Sequence, residues 1–252
     1  MALTCLGLVR LILCLSCSCP CASTQECSFT HKVISIQSNG VLVPVEVYEP
    51  DAPGRHPLVF MIHGSAGAFT RATKVMPAFD NFGELSLAKK CYVVALPHYM
   101  ASAGVSSVQS VQQMHELFPG FLRSLSDALD QIFEMGSVDE HRVAVYGESL
   151  GGYLSIALAS KDSPVTVVSE FSGVLPVGFL SDRAKLKSLL IQHGREDTLV
   201  DVSNVLVLRS YARRHHAKVV SKIYSDQGHY FDQITRDEVL RRTVEFLHER
   251  LK

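Results

Sequence analysis

The pentapeptide Gly147-Glu148-Ser149-Leu150-Gly151 constrains the fold of this chain more than any other segment. A β-branched, apolar run at 142–146 precedes it, and an apolar stretch suited to a helix, 152–159, follows it. A Gly-x-Ser-x-Gly turn between a strand and a helix strains the backbone of its central residue. It also exposes the serine oxygen at the carboxyl edge of a sheet. This context predicts Ser149 as a nucleophile rather than a serine in an ordinary loop.

Strand and helix patterns alternate along the chain after residue 30, and the hairpin signal Asn39-Gly40 lies between the first two strands. The predicted strands are 31–37, 41–48, 57–62, 92–96, 143–146, 165–171, 186–192 and 219–224. The predicted helices are 72–89 (broken near Pro77), 109–135 (broken at Pro119-Gly120), 150–160, 202–215 and 235–251. This alternation predicts an α/β fold: a mostly parallel central sheet, helices on both faces, and an antiparallel N-terminal hairpin at one edge.

Length and composition favour one domain. The chain has 252 residues and is 47% hydrophobic, which is enough for a single globular unit with a large core. No repeat or low-complexity linker divides it, and we expect 24–252 to be one domain. The formal net charge is −1 and there is no run of like charge, so neither nucleic acid nor an anionic membrane is an expected partner.

The N-terminal segment has the pattern of a secretory signal peptide, which we place at 1–23. Residues 1–15 are apolar apart from Arg10, and small residues follow. The apolar stretch is too short for a membrane span. We therefore expect a secreted or periplasmic protein. Two alternatives stay open: lipid attachment through Cys17 or Cys19, and a disordered extension on a cytosolic enzyme.

Removal of this segment would leave Cys27 and Cys91, since the other five cysteines lie within the first 21 residues. A disulfide between the two is open in an oxidising compartment, but two unpaired thiols are the simpler expectation. The cysteine spacing at 17–21 has no nearby histidine, so we expect no metal site.

A serine nucleophile needs a base, and the base needs a group that orients it. His229 follows the predicted strand 219–224, and the preceding glycine allows a tight turn back over the sheet edge. Asp197 lies in a Gly-x-x-Asp loop after the strand before, which makes it our choice of acid. The neighbouring Glu196 and Asp201 leave that choice formally open.

The oxyanion of a tetrahedral intermediate needs two N–H donors. One should be the N–H of Leu150, which follows the nucleophile at a helix start where the dipole also helps. The other should come from the small residues after the first buried strand, at Ser65 or Ala66.

Few residues suggest a substrate pocket. Tyr99, Tyr153 and Phe179 are candidates to line it, and the segment 172–185 is an insertion near the active edge. A surface loop that packs on its own helix is an equally good interpretation of that insertion. No large lid is evident, so we expect an accessible site that favours substrates with a short acyl group.

With these segments in place, about residues 30–250 resemble the α/β-hydrolase superfamily, whose triad order is serine, acid, histidine. The segments His193-Gly194-x-x-Asp197 and Gly228-His229-x-Phe231 look most like its dienelactone hydrolase-like and prolyl-oligopeptidase-like branches. The resemblance implies Ser149 as nucleophile, with the acid, base and oxyanion donors named above.

One departure from the family pattern bears on the reaction. Typical dienelactone hydrolases use cysteine as nucleophile, whereas this chain has Ser149. The resemblance therefore implies a serine carboxylesterase that acts on a small-molecule ester without metal or cofactor. The alternatives are a small peptidase or amidase, a lactone hydrolase, and an inactive fold used for binding. The oligomeric state is not indicated by the sequence.

Overall fold

An eight-stranded sheet forms the centre of the computed structural model, which describes residues 26–67, 87–161, 163–181 and 185–252. The strands are β1 (Phe29–Ser38), β2 (Val41–Pro50), β3 (His56–Ile62), β4 (Val93–Pro97), β5 (Val138–Glu148), β6 (Val167–Phe171), β7 (Ser188–Gly194) and β8 (Lys218–Tyr224). Their order in the sheet is β1-β2-β4-β3-β5-β6-β7-β8.

The sheet is antiparallel at one edge and parallel elsewhere. β1 pairs with β2, and β2 with β4, in antiparallel register. All pairs from β4 to β8 are parallel, so the carboxyl ends of β3, β5, β6, β7 and β8 lie along the same edge. The predicted mostly parallel sheet with an edge hairpin is confirmed.

The hairpin turn has the geometry that its sequence predicts. Asn39 and Gly40 have φ angles of 50° and 78°. Left-handed backbone at both central positions matches the twist of the flanking strands, and Asn-Gly adopts it at low cost. The turn fixes the register of β1 on β2.

Helices cover both faces of the sheet, as predicted. They are α1 (Val111–Phe133), α2 (Leu150–Ser160), α3 (Asn204–Arg214) and α4 (Gln233–Arg250), with a short 3₁₀ helix at Tyr99–Ala103. Helices α1 to α3 share one buried apolar cluster, and α4 packs in a second cluster on the other side of the sheet. The helix predicted over 72–89 lies largely outside the described residues.

The predicted break at Pro119-Gly120 is wrong, because α1 continues through both residues. Proline removes one helical N–H donor. The carbonyl that loses its helical partner is that of His115. His115 and Pro119 are both exposed, so water can bond this carbonyl. The opposite face of α1 is buried, with Phe118, Phe121 and Leu125 against the sheet. Burial of that face holds the helix together across the proline.

Cys27 and Cys91 form a disulfide, so the expectation of two unpaired thiols is wrong. Their Cα atoms are 5.4 Å apart although 64 positions separate them in sequence. The hairpin places the residues before β1 beside the turn that leads into β4, where Cys27 N–H donates to Lys89 O at 2.8 Å. Local sequence pattern carries no trace of this contact.

The predicted signal peptide and the cysteines proposed for lipid attachment lie outside the described residues. Among the helices that the structure describes, none has the length and apolar character needed to cross a bilayer.

The disulfide should stabilise the fold. A double Cys27→Ala, Cys91→Ala variant should lose about 2–4 kcal/mol in the free energy of unfolding, because its unfolded chain is less constrained. Urea unfolding followed by circular dichroism measures this. Wild type treated with a reductant should approach the free energy of unfolding of the variant. Equal urea midpoints for oxidised wild type and the double variant would contradict the assignment.

Candidate active site

Ser149 lies at the turn between β5 and α2 in the strained conformation that the sequence predicts. Its φ and ψ angles are 53° and −117°, in a region that non-glycine residues rarely adopt. The backbone is held there by the Ser149 N–H, which donates to Phe171 O at 2.8 Å. The turn thus depends on the neighbouring strand β6 as well as on its own sequence.

The glycines of the turn are required by close packing. A Cβ atom at Gly151 would collide with the carbonyl oxygen of Ile62, at the end of β3. A Cβ atom at Gly147 would collide with Gly151 O and with the hydroxyl of Ser155. The two glycines therefore let the first turn of α2 lie directly against the end of β3.

The structure brings the three predicted catalytic residues together. Ser149 Oγ lies 3.0 Å from His229 Nε2, and His229 Nδ1 lies 2.8 Å from Asp197 Oδ2. This is a continuous hydrogen-bonded chain from a hydroxyl to a carboxylate through one imidazole. It can remove the proton of the hydroxyl and stabilise the imidazolium that results.

The carboxylate of Asp197, and not that of Glu196, faces the histidine. Its other oxygen, Oδ1, accepts from the N–H groups of Leu199 at 2.9 Å and Val200 at 2.8 Å. The Asp197 side chain is fully buried, whereas Glu196 is exposed. Backbone donors on one oxygen and the imidazole on the other fix the orientation of the acid.

Two loops that carry the acid and the base are joined by backbone hydrogen bonds. Arg195 N–H donates to Tyr224 O at 2.8 Å, and Glu196 N–H donates to Gln227 O at 2.9 Å. The base loop is anchored in turn by Phe231, whose ring packs edge-on against Phe171 at 4.7 Å between centroids. Backbone hydrogen bonds therefore couple the loop of the predicted acid to the loop of the predicted base.

The predicted oxyanion donors lie next to the nucleophile. Ser65 and Ala66 are the central residues of a turn closed by Gly67 N–H on Gly64 O at 3.1 Å. That turn lies against the turn between β5 and α2, since a Cβ atom at Gly64 would lie 3.5 Å from Ser149 Cβ. The Leu150 N–H begins α2 and has no acceptor within the helix. The turn at 64–67 and the first residue of α2 therefore both lie beside Ser149, and their role as oxyanion donors stays a prediction.

The three predicted substrate-contact residues differ in placement. Tyr99 is fully buried, and its hydroxyl donates to His63 O at 3.0 Å, so it supports the loop from below. Tyr153 is buried and Phe179 half-buried, and both rings pack on Phe118 at 5.0 and 4.3 Å between centroids. Contact of Tyr153 and Phe179 with a substrate stays a prediction.

Burial sets the charge state of His63, at the start of the oxyanion loop. Removal from water lowers the pKa of its imidazole to about 3, which outweighs the opposite effect of Gly64 O, 3.0 Å from Nδ1. The ring is therefore neutral at physiological pH and stacks on Tyr99 at 4.3 Å between centroids.

The sequence reasoning missed a buried carboxyl group beside the turn between β5 and α2. Glu170 in β6 is fully buried; its Oε2 accepts from Gly173 N–H at 2.7 Å, and its Oε1 has no partner among the described residues. Burial raises the pKa of this carboxyl to about 8. A lone acid in an apolar strand gives no signal in sequence that distinguishes it from an exposed one.

Metal chemistry has no visible ligand set here. Within the part of the chain that the structure describes, no group of three or more His, Cys, Asp or Glu side chains could hold a metal ion.

The comparison with protein families decides the relationship. The model of the dienelactone hydrolase family matches residues 43–249, which is most of the chain. This chain belongs to the dienelactone hydrolase family. It is accordingly a hydrolase of the α/β-hydrolase type, as the resemblance in sequence implied. Comparison with curated protein sequences gave no match.

Solved structures share this fold. A dienelactone hydrolase-like promiscuous phosphotriesterase from metagenomic libraries has a TM-score of 0.73 at 18% identity, covering 89% of this chain and 100% of its own. A Klebsiella pneumoniae protein described as a dienelactone hydrolase has a TM-score of 0.71 at 18% identity, covering 88% and 99%. An acylaminoacyl peptidase of Pyrococcus horikoshii has a TM-score of 0.69 at 14% identity, covering 89% of this chain but 42% of its own.

The contact of Gly151 with β3 predicts an asymmetric response to an added methyl group. Gly151→Ala should lower the free energy of unfolding by at least about 2–3 kcal/mol, because the obstacle is backbone and cannot rotate away. Gly120→Ala, on α1, is the matched control. Its Cβ would lie 3.9 Å from the nearest atom, so stability should stay the same or rise by up to about 1 kcal/mol. Urea unfolding of both variants tests this, and similar midpoints would contradict it.

Glu170 predicts a dependence of stability on pH. Its raised pKa means that the folded protein keeps a proton that the unfolded chain releases above its ordinary pKa of 4.5. The free energy of unfolding should therefore fall as pH rises from about 5 to about 8. Thermal unfolding across this range should show a flatter slope for Glu170→Gln than for wild type, and a wild-type slope for the exposed control Glu140→Gln. Parallel slopes for Glu170→Gln and wild type would refute this.

Proposed function

We propose that this member of the dienelactone hydrolase family is a serine carboxylesterase that forms an acyl-enzyme on Ser149. The observation that supports it most strongly is the pair of contacts at His229, 3.0 Å to Ser149 Oγ and 2.8 Å to Asp197 Oδ2. Hydrogen-bonded groups in this order are what a hydroxyl needs to become a nucleophile at neutral pH.

In the acylation step, Ser149 Oγ attacks the carbonyl carbon of the ester while its proton passes to His229 Nε2. Asp197 holds the Nδ1–H of the ring and stabilises the imidazolium. The negative charge that develops on the carbonyl oxygen is met by N–H groups of Leu150 and of the turn at Ser65 and Ala66. Collapse of the intermediate releases the alcohol, which takes the proton from His229 Nε2.

In the deacylation step, water replaces the alcohol. His229 removes a proton from the water as it attacks the acyl carbon, and then returns it to Ser149 Oγ as the acid leaves. The N–H groups of Leu150 and of the 64–67 turn serve both steps, since a tetrahedral oxyanion forms in each. The cycle uses only residues of this chain.

An ester substrate is favoured by the nucleophile itself. The resemblance implies cysteine at this position in typical dienelactone hydrolases, and the serine here favours ordinary esters over lactones. The fold shared with an acylaminoacyl peptidase keeps an amide or peptide substrate as the second candidate. Amide cleavage requires protonation of the leaving nitrogen, so the relative turnover of amide and ester substrates distinguishes the two candidates.

The disulfide bears on where the enzyme works. Structural disulfides persist in oxidising compartments. The Cys27–Cys91 bond therefore supports our proposal that the segment 1–23 directs the protein out of the cytoplasm.

A fluorophosphonate probe tests the nucleophile directly. Wild-type protein should carry one adduct, mapped by mass spectrometry to Ser149, and Ser149→Ala should carry none. His229→Ala should label at least about 10³-fold more slowly, because the hydroxyl loses its base. Ser210→Ala, an exposed serine on α3, should label like wild type. Wild-type protein without an adduct, under conditions that label a control hydrolase, would contradict the proposal.

A substrate panel then separates the candidate reactions. We expect p-nitrophenyl acetate and butyrate to turn over faster than long-chain esters, and aminoacyl p-nitroanilides or dienelactone more slowly still. Faster turnover of an anilide would favour the peptidase candidate, and faster turnover of the lactone would favour the reaction for which the family is named.

A further inference from the structure

A second imidazole lies against the carboxylate of the acid. His193, next to last in β7, has a fully buried side chain whose Nε2 is 3.4 Å from Asp197 Oδ2. This is the same oxygen that His229 Nδ1 contacts at 2.8 Å. One carboxylate oxygen therefore faces two imidazole rings, of which the mechanism above uses only one.

The contacts of His193 define which nitrogen carries its proton. Nε2 lies 2.8 Å from the carbonyl oxygen of Val200, which can only accept a hydrogen bond. Nε2 is therefore the donor. Nδ1 is buried and has no partner among the described residues, so a proton there would be an unpaired buried donor. The Nε2–H tautomer is the one that the surroundings stabilise.

The hydrogen bond to Val200 links His193 to the acid through the backbone of the acid loop. The ring Nε2–H of His193 donates to the Val200 carbonyl, and the backbone N–H of Val200 donates to Asp197 Oδ1 at 2.8 Å. The imidazole thus fixes a residue that fixes one oxygen of the carboxylate, and it lies beside the other oxygen itself. The other acidic groups near these contacts are the exposed Glu196 and Asp201. The carboxylate of Asp201 accepts a hydrogen bond from the N–H of Ser203 at 2.8 Å.

From this geometry we propose that His193 is a positioning residue for the acid Asp197, a role that rests on the proposed function of the triad. The ring locks the loop 197–200 in the arrangement that aims the carboxylate at His229. Its Nε2–H dipole also attracts the negative charge on Oδ2, so the two rings share the interaction with that charge. Removal of the dipole should leave more of that charge to stabilise protonated His229.

The experiment compares two substitutions at this position. His193→Gln keeps an N–H donor at about the same distance from the backbone, and His193→Leu removes it. The exposed His141→Leu serves as the control for loss of an imidazole. The rate of fluorophosphonate labelling is measured from pH 5 to 9, together with thermal unfolding of each variant.

We expect His193→Leu to label about tenfold more slowly at its optimum. The acid limb of its pH profile should move up by about 0.3–0.5 pH unit, as loss of a weak hydrogen-bond dipole implies. His193→Gln should stay within about twofold of wild type with an unmoved acid limb. A purely structural role would lower the melting temperature without moving that limb. An unmoved limb in His193→Leu, or equal defects in both variants, overturns the proposal.

A second measurement separates this proposal from the proposed function. Long-range ¹H–¹⁵N spectra of the wild-type protein report the tautomer of each histidine whether or not the enzyme labels. We expect His193 as the Nε2–H form with a slowly exchanging proton. An Nδ1–H tautomer would overturn the positioning role, and this reading needs neither an active enzyme nor a variant that folds. Failure of wild type to label, with the Nε2–H tautomer present, would count against the esterase alone.

Discussion

The contact between Gly151 and the Ile62 carbonyl is the constraint on which the site depends. It joins the first turn of α2 to the end of β3 at a distance that permits no side chain. Because of it, Ser149 and the turn at 64–67 are adjacent, which is the arrangement that the proposed oxyanion hole needs. A different contact holds the strained backbone of Ser149, whose N–H donates to Phe171 O at 2.8 Å.

A second set of constraints sits on the far side of the nucleophile. The acid and base loops follow neighbouring strands, and backbone hydrogen bonds from Arg195 and Glu196 tie them together. The acid is then held by Leu199 and Val200 through main-chain donors and by His193 through Val200. Most of these bonds involve backbone atoms, so the geometry depends less on the identity of the neighbouring side chains than side-chain contacts would.

Sequence reasoning succeeded where one local pattern determines the outcome. The continuous apolar run at 57–62 was predicted as a strand buried on both faces, and β3 is one; α2 begins and ends at the predicted residues. Ser149 and His229 were predicted as site residues because each follows a strand within a glycine-containing turn, and their side chains lie 3.0 Å apart. These features depend on neighbours in sequence, which a single chain displays directly.

The features that the sequence did not predict depend on contacts between distant segments. The Cys27–Cys91 bond arises from hairpin pairing, and the continuity of α1 through Pro119 arises from burial of the opposite helix face. Tyr99 was predicted to contact the substrate, yet it is fully buried in the 3₁₀ helix and its hydroxyl donates to His63 O. The choice between Glu196 and Asp197 required knowledge of which side chain turns inward at the end of β7.

The proposed base, His229, lies in the loop that follows the last strand of the sheet. β8 pairs with β7 on one side only, and no described strand covers its other edge. Edge elements of a fold open with smaller free energies than its centre. Opening of β8 would carry His229 away from Ser149 while β3, β5 and β6 stay paired. Catalysis in this molecule would then report the local stability of its C-terminal edge, and could be lost while nearly all of its secondary structure persists.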